Sequence, residues 1–155
     1  MTAALLALQI YVVAFLLLHD WVPLPPLNDV RAVQAADSRG RLLGVTLASG
    51  LPFVVGLAGS VVYAGGRYPG WLVNWLWVSY GLVLAGAVRA WWIPYAVGTS
   101  PERVARYRAM FGATHAFLPE RHGIRPNTLH ITLHVALVAV LGLLAAGAAS
   151  CAAAG

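Results

Sequence analysis

The stretch "HGIRPNTLHITLHVALVAVLGLLAAGAAS", His122 to Ser150, decides the fold. From Thr128 to Ser150 it runs apolar with no charged residue, the length and composition that about 20 residues need to cross a bilayer as a helix. Asn127 and Thr128 stand where a helix cap belongs. The first two turns carry His130 and His134, which a spacing of four places on one helix face. Titratable rings inside such a segment are costly and mark a functional site by default.

The rest of the chain repeats the apolar theme. Of its 155 residues 60% are hydrophobic and 10% charged, and the mean hydropathy is +0.75. A soluble domain of this length needs more charge to cover its surface, so the composition indicates a membrane protein. The predicted architecture is an all-α integral membrane four-helix transmembrane bundle, a single membrane domain over 1–155. Its spans are 2–21, 42–64, 71–95 and 128–150. Pro52 is expected to kink the second span by freeing the carbonyl of Ala48. The N-terminus has no basic stretch and no small-residue cleavage site, so it reads as a retained first span. The single cysteine, Cys151, excludes an intramolecular disulfide.

Three connections follow. "GGRYPG", Gly65 to Gly70, is a tight turn that makes the second and third spans antiparallel neighbours. The loop 22–41 holds a short polar helix with Asn28 as its expected cap. The loop 96–127 holds "SPERVARYRAMFG", with Ser100 as cap, Pro101 at the first helical position, Glu102 in the first turn and an end at Gly112. Its apolar residues, Tyr107, Met110, Phe111, Phe117 and Leu118, suit a lid folded over the bundle or laid on the membrane surface. These two long loops carry eight arginines, whereas the short turn carries only Arg67. The bias places the long loops in the cytoplasm and both termini outside, in a bacterial inner membrane. Trp21, Trp91 and Trp92 form one expected aromatic belt; Tyr63, Tyr68 and Trp71 form the other.

All five acids and all five histidines fall at the cytoplasmic end. A through-membrane pathway lines its midplane with polar groups, and the spans offer little there: Thr46, Ser49, Ser79 and Tyr80, whose Ser/Thr hydroxyls are expected to bond back to their own helices. The pattern favours a site confined to one end. His130, His134, His19, Asp20 and Glu120 are the expected catalytic groups, moving protons. Arg89, Asn127, Arg103, Arg106, Arg121, Arg125 and Tyr95, together with the positive end of the last helix, are the expected holders of an anionic head group. Arg89 is expected to face inward toward Asp20, Glu120 or a bound anion, since Ala85, Gly86 and Ala90 around it suit a helix contact.

His130 and His134 with His19 would supply three ligands to a divalent metal. A single haem between His19 and one of the pair is the weaker alternative, and two stacked haems are excluded by histidine count. Small-residue pairs Gly56/Ser60, Gly81/Ala85 and Gly142/Ala146 suit close helix packing, within the bundle or in a homo-oligomer. The function expected is binding, and possible chemical transformation, of a lipid or amphiphile with an anionic head. The alternative is a non-catalytic subunit or oligomeric channel component that contacts a partner membrane protein. Membrane lipids are the expected partners, and nucleic acid is not.

Overall fold

The computed structural model describes residues 2–153, with side chains over 3–149; the side chain of Cys151 lies outside them. It is all helical. In chain order the elements are α1 (Thr2–Leu18), α2 (Val30–Ala36), α3 (Arg39–Val62), α4 (Gly70–Ala87), a π-helical segment (Val88–Trp92), α5 (Ile93–Val97), α6 (Pro101–Phe111) and α7 (Thr128–Ala153). Three continuous helices are long and apolar enough to cross a membrane: Arg39–Val62, Gly70–Val97 and Thr128–Ala149. The fourth apolar helix, α1, has 17 residues and so measures about 25 Å, which corrects the expected first span by its last turn. Asn28 ends it. The Asn28 amide donates to the carbonyls of His19 (2.7 Å) and Val22 (2.9 Å), folding the chain into a turn after Leu18.

Asn28 therefore does not cap α2. That role falls to Asp29, whose carboxylate accepts from the Ala32 N–H at 3.0 Å. For α6, Ser100 caps as expected and Pro101 opens the helix. Pro52 lies inside an unbroken α3 and its carbonyl accepts from the Trp75 indole at 2.8 Å.

The four apolar helices close a ring in which α1 packs on α3 and α7, and α4 packs on the same two. Val12, Phe53, Leu72, Leu76, Tyr80, Leu137 and Val140 fill its centre. Large aliphatic side chains cover its flanks instead of polar ones, among them Leu82 at 69% exposure, Val135 at 63% and Val138 at 56%. Such a surface suits hydrocarbon as solvent. In that solvent, close packing rather than burial holds helices together. A Cβ on Gly50 would sit 2.5 Å from the Leu17 side chain, and one on Gly59 2.8 Å from Leu72. Gly56 meets Leu76 in the same way, whereas Gly81 and Gly142 face open space and do not pack the bundle.

At one end of the ring, α2 and α6 pack together and the segment 112–127 crosses the start of α7. There the His115 N–H donates to the Pro26 carbonyl (2.7 Å), and the Thr128 N–H donates to the His115 carbonyl (2.9 Å).

Candidate proton-handling site at the start of α7

Asn127 organises this end. Its side-chain oxygen accepts from the backbone N–H of His130 at 3.0 Å, capping α7, and from the His130 ring at Nδ1, 2.7 Å away. Its amide nitrogen donates to the Leu27 carbonyl at 3.4 Å. Because a backbone N–H can only donate, the amide orientation is fixed, and His130 must carry its proton on Nδ1. One turn later the Trp92 indole, a donor only, reaches Nδ1 of His134 at 3.1 Å. His134 must therefore accept at Nδ1, stay neutral and carry its proton on Nε2. Two histidines on one helix face, with ring centroids 6.4 Å apart, are thus held in opposite tautomers. Neither Nε2 meets a protein hydrogen-bond partner among the described residues.

Aromatic rings box the pair. Trp91 lies 4.6 Å from the His130 ring, Phe111 5.3 Å and Phe15 5.6 Å. His19 stacks on Phe15 at 4.4 Å, stands edge-on to His130 at 5.7 Å, donates from Nδ1 to the Phe15 carbonyl, and pairs with Asp20 through Nε2 at 3.2 Å. Asp20, beyond the end of α1, has its carboxyl pushed above the usual carboxylate range by burial, against the lowering pull of His19. His134 is 5% exposed, and beside it an apolar groove of about 570 Å³ runs between α4 and α7, lined by Leu84, Val88, Ile131, Val135 and Val138.

The π-helical segment brings Trp91 and Trp92, adjacent in sequence, onto two neighbouring histidines. It closes with the Ile93 N–H bonded to the Val88 carbonyl, five residues back. Pro94 follows and has no N–H to offer, so the carbonyls of Arg89 and Ala90 are left over. α6 takes them: Arg103 donates to Ala90 (3.2 Å) and Arg89 (3.5 Å), and the Tyr107 hydroxyl donates to Ala90. This docking sets Phe111, one turn further along α6, against Trp91 and His130.

The other expected site residues are placed as follows. The Arg89 side chain is exposed and forms no ion pair among the described residues, because the helix phase here points it off the bundle. Trp91 is buried at the site instead of lying in a belt. The expected anion-holding arginines each contact a protein group: Arg103 carbonyls, Arg106 Asp37 (2.8 Å), Arg121 the Tyr95 ring (5.6 Å) and Arg125 the Gly112 carbonyl (3.4 Å). Glu120 is exposed and pairs with Arg108 at 2.7 Å. His115 bonds Thr128 at 2.8 Å. Among the described residues no three His, Cys, Asp or Glu side chains converge to hold a metal ion.

Phe15, Trp91, Trp92 and Phe111 belong to the site and were not foreseen as such. Their signal is the four-residue spacing of Phe15/His19 and Tyr107/Phe111, which matches His130/His134. Gln9 was also missed: it is fully buried in the ring, and both polar atoms of its amide lack hydrogen-bond partners among the described residues. Compared with protein-family models, curated proteins and solved structures, the chain has no match.

Proposed function

We propose that the chain is a four-span protein of a bacterial inner membrane, with its long loops cytoplasmic, that binds an acidic amphiphile and takes its proton at His130. Three helices of spanning length, a shorter fourth packed among them and an aliphatic outer surface support the topology. The arginine bias of the long loops supports the orientation. The observation that carries the chemistry is the pair of opposite tautomers. His130 offers an open lone pair at Nε2, and His134 offers an N–H. An acid head group H–X gives its proton to His130 Nε2, leaving an imidazolium, and the resulting anion accepts a hydrogen bond from His134 Nε2. No proton leaves His134, whose Nδ1 is occupied by Trp92. The groove beside His134 is the route from lipid, with the tail lying between α4 and α7 and the head at the rings.

The test is binding of a long-chain fatty acid to the protein in nanodiscs, followed by ¹⁵N NMR of the histidines. Binding should convert His130 to the doubly protonated form and leave His134 neutral. His130→Ala should weaken binding, and Val138→Trp, which fills the groove, should abolish it. Binding untouched by both substitutions, or binding that protonates His134 instead, would sink the proposal.

A further inference from the structure

The opposite end of the bundle carries a second cleft, about 420 Å³, between the start of α1, the turn before α4 and the far half of α7. Its walls are Leu5, Val73, Leu143 and Leu144, with Gly147 on the α7 side. Two polar groups stand at its mouth. Among the described residues Arg67 is the sole charged side chain of this end and forms no ion pair. Asn74 lies one turn into α4, about 6 Å along the axis from Gly70, and its amide makes no protein hydrogen bond among the described residues. The Asn74 side chain is exposed, so its amide is open to a ligand at this mouth. The first turn of α4 adds to the positive potential, because Pro69 occupies the cap position and no side chain caps it.

A guanidinium and an amide above an apolar slot match an anionic head above a hydrocarbon chain. We infer that this cleft is a binding site for an anionic phospholipid of the surrounding bilayer, one acyl chain lodged between α1, α4 and α7 and the phosphate held by Arg67 and Asn74. The site is separate from the histidines and does not depend on their role. A cleft of this volume lies in the range that holds ligands, and the uncompensated charge selects among lipids by head group.

Native mass spectrometry of the full chain, released from mixed micelles of phosphatidylglycerol and phosphatidylcholine, reads this directly. One phosphatidylglycerol per chain should be retained in preference to phosphatidylcholine. Arg67→Gln should reduce that preference about tenfold, the effect of one charge-assisted hydrogen bond. Gly147→Leu should remove retention of either lipid, with circular dichroism confirming the helices. Equal retention of the two lipids, an unaltered preference in Arg67→Gln, or displacement of phosphatidylglycerol by free oleate at equal concentration would overturn the inference. If Gly147→Leu fails to fold, Leu144→Trp offers the same block from the neighbouring wall, and lipid retained by it would count equally against the site.

Discussion

Replacing Asn127 by alanine removes three contacts at one point. The α7 cap bond to the His130 N–H is lost, a change that costs about 1 kcal/mol at helix starts. The His130 Nδ1–H loses its acceptor inside a box of aromatic rings, leaving a buried donor unsatisfied at about 1–3 kcal/mol. The 3.4 Å bond to Leu27 is long and adds little. The sum is about 2–4 kcal/mol. Asn127→Asp separates cap from bulk, because a carboxylate keeps both acceptor bonds and sits well at a helix N-terminus. Unfolding in mixed micelles with rising dodecyl sulfate, followed by tryptophan fluorescence, should therefore rank the chains as wild type close to Asn127→Asp and both well above Asn127→Ala. Equal stability of the alanine and aspartate variants, or an alanine cost under about 0.5 kcal/mol, would refute the role given to Asn127.

Other consequences are smaller. Tyr107→Phe leaves the Ala90 carbonyl to Arg103 alone, so amide exchange along α6 should accelerate by about the factor that 1 kcal/mol represents, while exchange in α3 stays unchanged. Arg89→Ala should alter stability by less than about 0.5 kcal/mol in the same micelle assay, since the side chain is exposed and unpaired among the described residues. Glu102 is held below the ordinary glutamate value of 4.5 by the Ser100 hydroxyl and a backbone N–H. A lowered carboxyl contributes stability above that value and loses it as pH falls through the folded-state pKa, so protease access to α6 should rise below about pH 4.5 and not above it.

The long helices were legible because their signals are dense: α3, α4, α6 and α7 follow from apolar runs, from Ser100 and Pro101, and from the glycine-rich turn at 65–70. His130 and His134 stood out as titratable rings in an apolar segment. The expected first span runs three residues too far, past His19 and Asp20 to Trp21; the chain turns after Leu18 through the Trp21 and Val22 N–H bonds to the Leu18 carbonyl, with the Asn28 side chain holding the turn from nine residues beyond His19. Arg89 was misread for a related reason. Ala85, Gly86 and Ala90 suggested a packed face, but the π segment resets the helix phase and presents Trp91 to the bundle instead. Pro94 was the available clue, since a missing N–H forces two carbonyls to find other donors, and Arg103 and Tyr107 sit one helical turn apart to supply them. Arginine counts speak to an expected orientation and carry no information on partners, which the fold supplies: Arg103 reaches carbonyls, Arg106 a carboxylate and Arg121 a ring.

The most direct measurement is the ¹⁵N chemical shift of the His130 and His134 ring nitrogens at neutral pH in selectively labelled protein, with Trp92→Phe for assignment. The expected spectrum shows one neutral ring protonated at Nδ1 and one at Nε2, with the second losing its single tautomer when Trp92 is replaced. Two rings in the same tautomer, or a doubly protonated His134, would contradict the division of the pair into a proton acceptor and a hydrogen-bond donor.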